Sequence, residues 1–208
     1  MKPFFTEENK LLEILDIISN IAILNFLCIV GCIPIITAGA SITATYSVGM
    51  KLVKNEEGYI IKDYIKSFKE NFKTSTSIWL FMILVIGFVV FDFYIVSIVA
   101  NEMISNILKF IFMVIAIIVL FMMTYVFAII AKFENSNKNT LINSILISVE
   151  NLPFTAVMVF FNLTPIMSMM IFANSFVYII FFYVVIGFGM TTCMNSILLN
   201  RVFTRYIN

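Results

Sequence analysis

NLPFTAVMVFFNLTPIMSMMIFANSFVYIIFFYVVIGFGMTTCMNSILLN, residues 151–200, runs for 50 positions without a Lys, Arg, Asp, Glu or His. A hydrocarbon layer about 30 Å thick is crossed by roughly 20 apolar helical residues, so this stretch is long enough to cross, turn and cross back. Three further uncharged runs, Ile17 to Met50, Thr74 to Phe91 and Phe110 to Ala131, make the same demand on their surroundings. The chain reads as an integral membrane protein. Every backbone amide in lipid must be paired within its own segment, and no period-2 barrel pattern is present, so the expected fold is all-α: a polytopic helical bundle forming a single membrane domain over residues 1–208.

Bulk composition agrees. Hydrophobic residues make up 62% of the chain and charged residues 12%, and the mean hydropathy is +1.05, values outside the range of soluble domains. A net charge of +1 gives no reason to expect a nucleic-acid partner. Before the first apolar run, Lys2 and Lys10 are outweighed by Glu7, Glu8, Glu13 and Asp16, the reverse of a signal peptide's basic start, so this segment is expected to stay.

The number of crossings turns on Ile17 to Met50, too long for one passage and short for two. Pro34 lacks an amide donor and Gly39 permits positive φ, so Pro34 to Gly39 is read as a turn between a longer outbound helix and a shorter returning one. Six segments follow, at about 12–34, 40–54, 75–98, 107–131, 152–170 and 176–199, arranged as three helical hairpins. With a cytoplasmic amino terminus this places every Lys and Arg except Lys109 on the cytoplasmic side, as membrane topology favours. A five-span alternative with the amino terminus outside moves Lys2 and Lys10 to the wrong face. The expected location is a cell membrane, with both termini cytoplasmic.

Two cytoplasmic stretches read as amphipathic helices. In Tyr59 to Lys73 the residues Ile61, Tyr64, Ile65, Phe68 and Phe72 recur at helical spacing opposite Lys62, Lys66, Lys69 and Lys73, and the helix is expected to lie flat, with those lysines as a partner or lipid surface. Thr140 to Glu150 is a weaker version. Each leads through an Asn, Asn71 or Asn151, into a hairpin, and with Leu11 to Asn20 as a third copy this reads as a threefold repeat.

Within the membrane a charge costs at least about 2.5 kcal/mol at mid-depth, which singles out Asp92. It and Lys109 stand nearly symmetrically about the turn near Asn101; the plain reading is a structural ion pair or interfacial snorkelling, the sharper one an ion site. Asn25, Asn162, Asn174 and Asn195, with Thr164, Thr191 and Thr192, are read first as helix-to-helix hydrogen bonding and second as a polar cavity lining. The small residues from Ala38 to Gly49 read as a close-packing face, and Gly187 and Gly189 as sites of packing or bending. With no His, no carboxylate cluster and no zinc-type Cys grouping, no metal, cofactor or catalytic residue is expected.

From Pro34 the chain reads PIITAGASITATYSVGMKLVKNEEGY to Tyr59, then SFKENFKTSTSIWL over residues 67–80. This order of Pro, Gly, small residues, basic patch, Gly-Tyr and Phe-Lys-x-Asn-Phe-Lys resembles the YesL-like family of uncharacterised bacterial multi-pass membrane proteins, over nearly the whole chain. Lys51 and Lys54 stand where many relatives carry Arg, which preserves the charge. The resemblance implies a bacterial plasma-membrane protein encoded beside carbohydrate-uptake transporters. The expected function is therefore a non-enzymatic accessory or regulatory membrane component of carbohydrate uptake, partnered by the lipid bilayer and a carbohydrate ABC transporter component. The alternative is a small solute transporter or substrate-capture subunit.

Overall fold

The computed structural model describes residues 7–56, 58–98 and 102–206. Among these the chain forms helices and no strand: α1 (Glu7–Cys32), a 3-10 turn (Ile35–Thr37), α2 (Ala38–Leu52), α3 (Ile60–Ile98), α4 (Glu102–Lys132), α5 (Asn137–Glu150), α6 (Leu152–Ile171), a second 3-10 turn (Ala173–Ser175), α7 (Phe176–Phe182), a π-turn (Tyr183–Gly187) and α8 (Phe188–Phe203). Five stretches are long and apolar enough to cross a bilayer: Ile14–Cys32, Ile60–Val96, Glu102–Lys132, Leu152–Ile171 and Phe176–Phe203. The remaining expected segment exists as α2, but its 15 residues rise only about 22 Å, less than the hydrocarbon thickness.

Helix α2 is short because it is the centre of the bundle. Twelve of its residues are buried, and it packs against α1, α3, α4 and α8. Its small residues allow this. A Cβ on Gly39 would lie 2.5 Å from Trp79 Cβ and 2.7 Å from the Ser75 carbonyl, so glycine serves close approach to α3. The expected positive φ is not used, since no described glycine adopts one. The reversal comes from Pro34, extended at φ −77° and ψ 112°, and from the 3-10 turn, which the Thr37 hydroxyl ties back by donating to the Gly31 carbonyl at 2.7 Å.

Side-chain contacts fix the helix directions. Ser41 reaches Cys28 across α1 and α2, while Thr43 meets Ser75 and Lys51 meets Asp63 across α2 and α3. Ser105 meets Val96 and Phe127 meets Trp79 across α3 and α4. Asn162 meets Asn195 and Asn151 meets Tyr206 across α6 and α8. Helices α1, α3 and α6 therefore run one way and α2, α4 and α8 the other, which gathers Lys51, Lys54, Lys132 and Asn200 around one recess at a charged end.

Helix α3 departs from expectation. Its 39 residues, about 58 Å of rise, join the amphipathic stretch from Tyr59 to Lys73 to the span without a break, so that stretch projects from the span as its first turns instead of lying flat beside it. Asn71 does not interrupt it, because its Nδ2 donates back to the Ser67 carbonyl at 3.0 Å. Asn151 does separate α5 from α6, with φ −117° and ψ 42°. Pro153 follows at the start of α6, where a missing amide donor costs nothing. The Leu11 to Asn20 and Tyr59 to Lys73 stretches thus run unbroken into their spans, whereas Thr140 to Glu150 is set off by Asn151.

The core is concentrated toward the charged end. Tyr125, Val126, Phe127 and Ala128 of α4, Leu199, Val202 and Phe203 of α8, and Ile78 and Met82 of α3 are almost completely buried. The far arms of α3 and α4 instead display Leu84, Phe88, Val90, Phe110, Met113 and Ile117. Such a surface is stable only in lipid.

Candidate functional site

Two polar regions stand out, one inside the bundle and one at the charged end. Inside, the π-turn ahead of α8 widens the helix by one residue and frees backbone groups that hydrocarbon cannot satisfy. Asn25 of α1 satisfies them. Its Nδ2 donates to the carbonyls of Val184 at 2.7 Å and Tyr183 at 3.3 Å, and its Oδ1 accepts from the Gly189 amide at 2.8 Å. Gly189 makes the approach possible, since a Cβ there would lie 2.7 Å from the Ile21 carbonyl. Gly187 leaves room for the Tyr183 ring, whose hydroxyl donates to Thr164 at 3.1 Å. Asn25 is thus committed to holding the π-turn.

One to two turns further along α8, Asn195 is buried and donates to Asn162 Oδ1 at 2.7 Å, with the Tyr46 hydroxyl at 3.4 Å. Its own Oδ1 has no partner among the described residues, nor has the Oγ of Ser196 beside it. The structure therefore brings Asn162 and Asn195 together and sets Asn25 apart against the π-turn. Asn174 is exposed in the turn before α7. Thr191 and Thr192 both donate to the Phe188 carbonyl within α8.

Thr76 Oγ1 is likewise without a partner among the described residues, whereas several other interior hydroxyls are paired. Ser41 bonds the Cys28 carbonyl and the Tyr64 hydroxyl, both at 2.8 Å, and Tyr125 shares a 2.9 Å bond with Thr155. Cys28, Cys32 and Cys193 are free thiols. Asp92 and Lys109 lie on the far arms of α3 and α4, which meet there through the Phe93 and Phe112 rings. They make no ion pair with each other, the one pair among the described residues being Lys51 with Asp63 at 3.1 Å.

At the charged end, Glu70, Asn71, Thr74, Lys132, Glu134 and Asn135 line an open recess of about 780 Å³ between α3 and the corner joining α4 to α5. None of its three charged residues forms an ion pair within the described structure. Lys62, Lys66, Lys69 and Lys73 are all exposed along one stripe of α3. Also at the charged end, Arg205 and Tyr206 are held by the junction of α5 and α6. The Tyr206 hydroxyl donates to Glu150 at 2.5 Å and accepts from Asn151 Nδ2 at 2.9 Å, while Arg205 donates to Asn151 Oδ1 at 3.2 Å and lies over the Phe154 ring. Partial burial and the neighbouring Glu150 carboxylate raise the Tyr206 phenol above its ordinary value.

Tyr46, Tyr183 and Ser196 were not singled out in the sequence. Each is an ordinary helix residue there; the crossing of α2, α6 and α8 brings Tyr46 and Ser196 beside Asn195, and the π-turn brings Tyr183 to Thr164. Helices of bilayer length, apolar outer arms and an internally paired polar interior define a multi-pass helical membrane protein. Residues 21–93, covering the second half of α1, all of α2 and most of α3, match the model of a family described as Protein of unknown function, DUF624. No curated protein and no solved structure matches the chain.

Proposed function

We propose that this chain is a non-enzymatic accessory component of a bacterial cell membrane, of the YesL-like kind, that presents its charged end to a carbohydrate-uptake transporter. The observation that carries the reading is the 780 Å³ recess, where Glu70, Lys132 and Glu134 stand around an open, polar hollow without ion-pair partners of their own. Charges arranged in this way offer complementary contacts to a partner's exposed segment, and such complementarity sets specificity and encounter rate. The exposed Lys62, Lys66, Lys69 and Lys73 stripe supplies a second contact, with anionic headgroups at the membrane surface. The excess of Lys and Arg at this end supports a cytoplasmic placement. The link to carbohydrate rests on the family resemblance.

Two measurements test the proposal together: oligosaccharide uptake by cells lacking the protein, and co-purification of the transporter's membrane subunit in mild detergent. Loss of uptake on deletion, with retention of the subunit falling about tenfold in an E70A/E134A variant, is the expected result. Unchanged uptake and no co-purification would refute it. A second reading, a small solute transporter, draws on the Tyr46, Asn162 and Asn195 cluster inside the bundle. Solute flux in proteoliposomes containing the purified chain alone would favour it.

A further inference from the structure

We infer that the seam between α2 and α8 is a hydrated crevice, filled with water from the charged end as far as Tyr46 and Asn195. Of the three buried side-chain atoms without a partner among the described residues, two are neighbours, Asn195 Oδ1 and Ser196 Oγ. Both residues are buried, at 1% and 0% exposure, so bulk solvent does not reach them over the outer surface. Both are acceptors, and Ser196 is also a donor, which suits them to a molecule that donates and accepts in turn. Water is the smallest such molecule, and buried water bonds otherwise unsatisfied polar groups in this way.

The route to bulk is on the same faces. Ser196 and Asn200 lie one turn apart on α8, and Tyr46, Gly49 and Met50 form the facing strip of α2. Asn200, through its Nδ2 bond to the Met50 carbonyl at 3.1 Å, marks the point where this strip meets a cavity of about 80 Å³. Ser47, Lys51, Lys54 and Lys132 line that cavity too. Its volume holds several waters at the ~10–15 Å³ that one requires. Gly49 is the close point of the seam: a Cβ there would stand 3.0 Å from Ser196 Oγ and 3.4 Å from Thr192 Cγ2, and would take the space beside that hydroxyl. Glu56 also lines the mouth, and the three ammonium groups beside it disfavour cations.

Hydroxyl-radical footprinting of the wild-type protein in detergent reads this directly, because radicals formed from bound water oxidise the side chains around it. Tyr46 is the deep reporter and Met50 the reporter at the mouth; Met82, Met158 and Tyr125, also buried but away from the seam, are the controls. Tyr46 is expected to be oxidised at least about tenfold faster than Tyr125, and Met50 faster than Met82 and Met158 by a similar factor. Gly49→Ala should slow Tyr46 while leaving Met50 unchanged. Modification of Met50 alone, with Tyr46 as protected as Tyr125, would overturn the proposal. Thermal unfolding of Ser196→Ala gives an independent reading: a dry, unpaired hydroxyl predicts that its removal raises the Tm, whereas a hydrated one predicts no rise. A rise would also overturn it.

Discussion

Asn25 shows how much one side chain carries when the solvent is lipid. Its carboxamide satisfies two carbonyls and one amide at the π-turn, and nothing else in that part of α1 is placed to replace it. Asn25→Leu should therefore lower stability by about 1–3 kcal/mol, the cost of leaving buried polar groups unpaired, as read from thermal unfolding in detergent. The glycine beneath it sets a matched comparison. Gly189→Ala would drive a Cβ against the Ile21 carbonyl and should lower the Tm, whereas Gly87→Ala, with nothing within 4 Å, should leave it unchanged. At the carboxyl terminus the Tyr206 phenol must be protonated to donate to Glu150, and its raised pKa ties that clasp to pH. A group held protonated by folding contributes fully below its unfolded value, about 10 for tyrosine, and the contribution fades as pH rises through the folded value. The stability difference between the wild type and Tyr206→Phe should accordingly be constant at neutral pH and shrink in alkaline solution, as measured by unfolding over a pH series.

Among the elements, α3 is the instructive one. Two asparagines preceding apolar runs look alike in the sequence, yet Asn71 lies inside an unbroken helix and Asn151 ends one. The difference was legible in Pro153, which cannot supply the amide that would continue α5 into α6; nothing comparable follows Asn71. The lengths and order of the long helices could likewise be read from uncharged runs, because hydrocarbon thickness fixes how many residues a helix needs. The shortness of α2 is partly legible in Pro34, but its central burial is not, since it depends on α3 and α8 closing over Gly39 and Gly49. The π-turn is legible only as Gly187 and Gly189, which read as packing or a bend, and as Asn25, a polar residue in an apolar run. That they meet depends on a contact between residues more than 150 positions apart, which no local pattern shows. An accessibility scan with spin labels at residues 66–76 tests the continuity of α3. An unbroken 3.6-residue period through Asn71 is expected, and a loss of period there would restore a separate surface helix.

Across the whole molecule, three helices run each way, and the charged residues collect where α2, α4 and α8 end. Those ends carry negative dipoles, which Lys51, Lys132 and Arg201 in the last turns of these helices complement. One arrangement thus satisfies helix electrostatics, the distribution of basic residues and the placement of the recess together, while the opposite arms of α3 and α4 are left to lipid. It depends on α2 returning the chain although too short to cross alone. Single cysteines at Lys54, Lys132, Arg201 and Glu102, in a chain whose own Cys28, Cys32 and Cys193 have been replaced, can be labelled with a membrane-impermeant thiol reagent in oriented vesicles. The fold predicts that Lys54, Lys132 and Arg201 label from one face and Glu102 from the other; labelling of Lys54 from the face opposite Lys132 would contradict it.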